Sequence, residues 1–472
     1  MKKEAKESSV TQKKISKSLD LSVREGSYAA VATGLDTTYF PPYALAMNAT
    51  SSQVGILTAV LNIIPSIVQM FGPGLFSKFS RKRVVLTAVM IKIILLIPII
   101  VCGFLFLKGF DYMVWILIIL VGVFYGLVAI GQPAWFSWMG SLVPEKRRGR
   151  YFSMRNRVSG FFGLASMLLG AVVLDFSKEY GLEHGEVLAF TLLGFGVIFT
   201  LAMIFKFLSW RLLSIQYEPK LKFRKRDGFT FWQFIKNAPN NPFGRFTIFL
   251  GFFSIAIGLA SPFWAVYMLR DLGFSYFWFM AITVSGTLFQ LMFLPLLGKF
   301  SDRFGNIKLM CICVGMAFVI PLLWVLSPMV GGGLALKLYL LFVPSIVSGF
   351  TWAGYNLAMS NYVYDAVSSN SRSFGVSYMN LVVGVGTFIG AGIGSALALL
   401  EISFMNTMLF IFLLSAILRF VIAFVGLGYL KEVRHVRKFN PHFFIREFRP
   451  MQGIVREFQG FETAVRKIEH FA

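Results

Sequence analysis

The sequence predicts an all-α membrane protein of twelve transmembrane helices, arranged as two parallel six-helix repeats. Three observations carry this. The 472 residues are 56% hydrophobic and only 14% charged, where a soluble domain carries about 25% charged residues. Apolar runs long enough to cross a bilayer recur along the whole length. The second half of the chain also repeats landmarks of the first at a nearly constant offset.

The spans are expected at about 26–47, 52–76, 83–107, 113–142, 152–174, 187–210, 246–269, 275–299, 307–327, 335–362, 373–400 and 404–428. This divides the chain into a polar tail (1–25), a first bundle (26–210), a linker (211–245), a second bundle (246–428) and a basic amphipathic tail (429–472). The formal net charge is +23. The basic residues gather in the tails, the linker and the even-to-odd loops, which places both termini in the cytoplasm. They are expected to set topology and meet anionic lipids rather than nucleic acid. The N-terminus has no short apolar core with a cleavage site, so no signal peptide is expected. A multi-pass protein of the plasma (inner) membrane follows, expected as a monomer. The linker has a candidate surface helix at 230–237, and the tail reads as an amphipathic segment on the inner leaflet.

"ATGLDTTYFPPYAL" at 32–45 returns as "AIGLASPFWAVYML" at 256–269, an offset of 224. Phe79 and Arg83 return as Phe304 and Lys308 at 225, Pro98 as Pro321 at 223, and Arg150 and Phe152 as Arg372 and Phe374 at 222. Six spans were therefore duplicated in the same membrane orientation.

One loop carries a longer signature. "GKFSDRFGNIK" at 298–308 sets Gly298, Asp302, Arg303, Gly305 and Lys308 at fixed spacing between two apolar runs. Two parallel six-helix repeats with this loop resemble the major facilitator superfamily of secondary transporters. "VPEKRRGR" at 143–150 is similar to the loop after the fourth helix in many members. The first copy departs from the signature, with Ser77 in place of the acid and Ser80 in place of the second glycine. The resemblance implies that the acid closes the cytoplasmic side against the opposite repeat. Because the intact copy is the second, Asp302 is expected to meet Arg150 at the start of the fifth helix, where free N–H groups and the helix dipole also favour a carboxylate.

Charges inside spans need a reason, because each costs at least about 2.5 kcal/mol at the bilayer centre. Asp36 is the acid in the middle of a span, near the midplane of the first helix by residue count. It is the candidate for proton coupling, with Lys92 as the candidate partner base. Lys206 and Arg419 are expected to snorkel or to cap carbonyls.

Four helices each place polar or aromatic residues on one face by i, i+3, i+4, i+7 spacing. The sets are Asp36, Tyr39, Phe40 and Tyr43; Gln132, Trp135, Phe136 and Met139; Ala260, Phe263, Trp264 and Tyr267; and Trp352, Tyr355, Asn356 and Met359. They fall on the first, fourth, seventh and tenth helices, which line the central cavity in this superfamily. The resemblance thus makes Tyr39, Tyr43, Gln132, Trp135, Trp264, Tyr267, Trp352, Tyr355 and Asn356 the substrate-binding candidates. Phe40, Phe136 and Phe263 are expected to pack. Gly386, Gly390 and Gly394 form G-x-x-x-G steps that allow close helix contact, and Gly160, Gly163 and Gly170 do so more weakly.

No His/Glu metal pair, Ser–His–Asp set or phosphate loop suggests an enzyme or a cofactor. Cys102, Cys311 and Cys313 lie within apolar runs and suggest neither disulfides nor a metal site. The expected activity is transport of a small neutral or weakly polar organic solute by alternating access, coupled to protons through Asp36. The alternatives are an uncoupled facilitator, an efflux pump for hydrophobic compounds, and a non-transporting sensor or scaffold with a transporter fold. The sequence does not name the substrate.

Overall fold

The computed structural model describes residues 2–143, 148–219, 230–368, 371–434 and 436. The first repeat runs α1 (Lys2–Leu35), α2 (Phe40–Ala46), α3 (Ser51–Lys78), α4 (Arg81–Leu107), α5 (Met113–Leu142), α6 (Arg148–Glu183) and α7 (Val187–Ile215). The linker holds α8 (Phe231–Asn237), and the second repeat runs α9 (Pro242–Ala260), α10 (Phe263–Val266), α11 (Tyr276–Phe304), α12 (Asn306–Met316), α13 (Val319–Val325), α14 (Gly333–Ala366), α15 (Arg372–Leu397) and α16 (Thr407–Gly426). Among the described residues there is no strand, and eleven helical segments are long and apolar enough to cross a membrane. The fold is the expected all-α one. The first of the twelve expected spans is not among those eleven, and it is broken: α1 stops at Leu35, a 3-10 turn covers Thr37–Tyr39, and α2 resumes at Phe40.

Local sequence explains the break. Pro41 and Pro42 lack N–H groups, and their rings clash with the carbonyls of Thr37 and Thr38 four residues back. The Asp36 side chain accepts from the Thr37 amide and caps the turn. The second repeat breaks its first helix at the same step, α9 ending at Ala260 and α10 starting at Phe263 after Pro262. The linker helix is also where it was expected, started by a capping box of Thr230 and Gln233. The rest of the linker (220–229) and the amphipathic tail (437–472) lie outside the described residues.

The chain forms two compact units. One contains residues 1–226 together with Gly258–Met280 and Gly384–Ile402 of the second repeat; the other contains 227–257, 281–383 and 403–472. Small residues bring the helices of the first unit together. A Cβ on Gly394 would stand 2.5 Å from the Leu259 carbonyl oxygen, one on Gly258 2.4 Å from that of Thr387, and one on Gly55 1.9 Å from Ser395 Oγ. Gly394 thus makes the close contact its G-x-x-x-G step suggests. At the end remote from the signature loop, Asp175 of α6 accepts from the Tyr276 and Phe277 amides (2.7 and 2.9 Å), capping α11 with both carboxylate oxygens. Arg270 donates there to Ser51 Oγ (3.2 Å) and to the Ala49 carbonyl.

In the second unit the signature loop is tied to the residues after α16. Gly305 has φ +100°, a left-handed conformation that favours glycine, and a Cβ there would meet Glu432 Oε2 at 2.4 Å. Glu432 accepts from the Ile307 amide (2.9 Å) and so caps α12. Arg434 donates to the carbonyls of Ser301 and Asp302 (3.0 and 3.1 Å). The first repeat builds the same joint without the signature glycine. Ser80 caps α4 through the Arg83 amide, and Glu218 accepts from the Lys82 amide (3.3 Å), the position that matches Ile307 at offset 225.

Candidate transport site

The first repeat encloses a ladder of charge. Ser18, Ser22, Glu25, Ala32 and Asp36 are all buried and lie on one stripe of α1 and its cap. Arg155 of α6 donates to Glu25 Oε2 (3.0 Å) and to the Ser22 carbonyl (3.1 Å), while Ser209 of α7 donates to Glu25 Oε1 (3.0 Å). One turn away on α7, Lys206 sets its Nζ 2.7 Å from Asp36 Oδ2, with Asp36 fully buried and Lys206 nearly so. This is a close ion pair whose geometry falls outside hydrogen-bond alignment. Tyr125 of α5 donates to the Thr37 carbonyl at the break (3.4 Å).

Two expectations change here. Lys206 does not snorkel; it is the partner of Asp36, because α7 rather than α4 packs the facing position. Lys92 is instead half-buried and makes no ion pair or hydrogen bond among the described residues. Its ammonium stands 5.8 Å from the Phe124 ring centroid, and that of Lys206 stands 5.3 Å from the same centroid. Lys92 is close enough to Lys206, Asp36 and Glu25 to interact electrostatically with each.

The second repeat lacks this chemistry. Ala260 stands where Asp36 would be, and Gly315–Ala317, the stretch matching Lys92, is uncharged. Arg419 lies thirteen residues before the capping Glu432, much as Lys206 lies twelve before Glu218. It is buried and donates to the Ala317 carbonyl (3.2 Å), left free where α12 ends. Arg419 therefore caps a carbonyl, as expected.

The aromatic candidates divide by accessibility. Tyr39 and Tyr43 are corrections: both are buried, and their hydroxyls donate to the carbonyls of Met167 and of Ile99 (3.1 Å for the latter). Gly170 and Gly103 leave the space those rings occupy. The rings pack on Phe195 and Phe199 and have no free polar atom to offer a solute. Phe40 and Phe263 are core residues as expected, but Phe136 is exposed. Gln132 is exposed, and Trp135 is half-buried beneath the Arg155 guanidinium, 4.3 Å from its ring centroid. Trp264 is half-buried, and Tyr267 is buried at the start of a π-turn. In the second unit Asn356 is exposed, Trp352 is half-buried and meets Tyr355 edge-on at 5.4 Å, and Tyr355 is buried against Phe253. In the signature loop the Asp302 side chain is exposed. Arg150 lies in α6, and its side chain is outside the described residues, as is that of Ser77.

Comparison with family models matches residues 27–330 and 246–455 to the Major Facilitator Superfamily. The chain belongs to the major facilitator superfamily. As a member of it, the protein is an integral multi-pass membrane protein and a transporter of a small-molecule substrate, not an enzyme. Solved structures of the superfamily share the fold. The nucleoside transporter NupG is 15% identical with a TM-score of 0.62, over 88% of this chain and 99% of that one. A bacterial homologue of the iron transporter ferroportin, inward-facing, is 16% identical with a TM-score of 0.63, over 87% and 98%. A bacterial homologue of the human lysosomal transporter Spinster is 18% identical with a TM-score of 0.53, over 81% of each. No curated protein matches at a significant level.

For this superfamily member, sequence reading missed Glu25, Arg155 and Ser209, and assigned Lys206 another role. The 3–4 spacing of Ser18, Ser22, Glu25, Ala32 and Asp36 was a readable signal. The expected first span starts at residue 26 and so excludes most of that stripe, whereas α1 continues without interruption from the tail. Removing one member of a buried ion pair costs about 3–5 kcal/mol, because the other charge is left uncompensated. Lys206→Met should therefore lower the thermal unfolding midpoint of the purified protein markedly. Asp36→Asn/Lys206→Met should regain most of that loss, and a double variant no more stable than Lys206→Met would remove the pairing.

Proposed function

We propose that the protein is a proton-coupled secondary transporter that moves a small organic solute by alternating access, with Asp36 as the proton-binding group. The observation that carries this reading is the fully buried Asp36 carboxylate at the break of the first helix, balanced by Lys206 2.7 Å away. A proton on Asp36 would remove the attraction that holds α7 to the broken helix. That changes the relative energy of two packings of the same elements, which is what coupling requires. Confinement of acid and base to one repeat supports a single coupling site. In this reading the basic termini lie in the cytoplasm, the membrane is the plasma membrane, and the half-buried or exposed Gln132, Trp135, Trp264, Trp352 and Asn356 contact the solute.

Asp36→Asn reconstituted in vesicles should lose accumulation against a gradient while keeping exchange between equal pools. Wild-type accumulation by the variant would point to an uncoupled role for Asp36, and no solute movement by the wild type to a sensor or scaffold.

The substrate contacts have a separate test. Loss of a ring contact or hydrogen bond costs about 1–3 kcal/mol, so Trp352→Ala and Asn356→Ala should each raise the half-saturation concentration on the order of 5–150-fold. Unchanged values in both would move the site elsewhere.

Two carboxylates suit the opposite gates. Asp175, with its paired hydrogen bonds to the start of α11, would hold the extracellular side closed. Asp302 would engage Arg150, or the backbone after it, when the cytoplasmic side closes. Distance labels across each mouth should show Asp175→Asn shifted toward outward-open and Asp302→Asn toward inward-open. Distributions equal to wild type would reduce the acid concerned to a local cap.

A further inference from the structure

We propose that the transported solute is an anion, and that Lys92 holds its carboxylate or phosphate group, joined by Lys206 when Asp36 takes up a proton. The inference rests on the transporter reading above and adds the charge of the substrate.

It begins with the balance of charge inside the first repeat. Around the α1 stripe, among the described residues, three cations, Lys92, Arg155 and Lys206, face two carboxylates, Glu25 and Asp36. Arg155 is committed to Glu25 at 3.0 Å and lies over the Trp135 ring, and Lys206 is committed to Asp36 at 2.7 Å. Lys92 is left over. Among the described residues no carboxylate lies within ion-pair distance of it and no hydrogen bond reaches it. What it has is the Phe124 ring, which a second ammonium also approaches. A ring face replaces only part of the hydration an ammonium loses, and a like charge on the same ring makes the place worse.

The fold does not require that charge. In the second repeat the matching stretch, Gly315–Ala317, is uncharged, and the matching acid is Ala260. Arg419, a buried cation of the second repeat, has a carbonyl to cap. An ammonium held within a span with no ion pair or hydrogen bond among the described residues, at a place where the same fold manages with uncharged residues, fits a charge whose partner arrives with the substrate.

The broken helix supplies the link to the proton. Asp36 faces Lys206, Lys92 and Tyr125, with Glu25 further down the same stripe of α1 and paired there with Arg155 of α6. With Asp36 ionised, Lys206 is occupied and Lys92 alone faces an incoming anion. A proton taken from solution onto the Asp36 carboxylate releases Lys206. Two ammoniums beside one ring would then be available to one anionic group, and Lys, as a compact point charge, binds carboxylate and phosphate alike. One proton would accompany one anionic charge.

The test uses full-length protein in vesicles with an imposed inward proton gradient. The probes are lactate, succinate and glucose 6-phosphate as anions, glucose and uridine as neutral solutes, and choline as a cation. Uptake should occur among the anions, with the carboxylate and phosphate arms showing which group is read. Lys92→Gln should raise the half-saturation concentration for that anion tenfold or more, and Lys92→Arg should stay within a few-fold of wild type. Preference of the wild type for a neutral or cationic probe overturns the inference and leaves the transporter standing, and this comparison holds even where Lys92→Gln fails to fold. Anion uptake that is equally avid in folded Lys92→Gln also overturns it. No uptake of any probe by the wild type counts against the transporter reading and the inference together.

Discussion

A carboxylate buried at a break in a helix imposes requirements on everything around it. Asp36 cannot stay ionised in an apolar bundle without a cation, and the 3-10 turn it caps cannot leave its carbonyls unmet. Lys206 on α7 meets the first need, and Tyr125 on α5 helps with the second. Tyr39 and Tyr43, just past the break, anchor the broken segment to α6 and α4 through their hydroxyls. The packing of the first repeat is thus organised around one interrupted helix and the polar groups that interruption exposes.

The duplication shows which parts of this serve the architecture. Both repeats break their first helix at the same step, and both cap the third helix with a glutamate that follows the sixth, Glu218 in one and Glu432 in the other. These are structural joints. The acid at the break and the lysine at position 92 have no charged counterpart at the matching positions of the second repeat, Ala260 and Gly315–Ala317. The signature loop runs the other way, intact in the second repeat, with Ser80 in the first doing as a helix cap what Gly305 does by its left-handed backbone. Duplication supplied two similar bundles, and the chemistry of each has since gone its own way.

Legibility in the sequence followed the range of the interaction. The composition, the apolar runs, the offset between repeats and the signature loop are all local properties or simple periodicities. They gave the fold class, the family and the special standing of Asp36. The partner of Asp36 was not readable, because Lys92 and Lys206 are both lysines within spans and nothing local says which packs against the first helix. Tyr39 and Tyr43 shared the face of Asp36 by spacing, yet helical phase says which residues lie together and not whether that face meets solvent or another helix.

The sequence by itself determined that this chain crosses a membrane many times in two related bundles, because burial of apolar runs and the satisfaction of backbone groups within helices leave no other arrangement in lipid. The break in the first helix has a local cause in Pro41 and Pro42, although the expected span ran through it from 26 to 47. Only the tertiary structure decided that Glu25 joins Arg155, that Lys206 rather than Lys92 neutralises Asp36, and that Lys92 is left facing a shared ring. Those choices depend on which helix faces meet across α1, α4, α6 and α7. A contact between residues 170 positions apart has no signature in either neighbourhood taken alone.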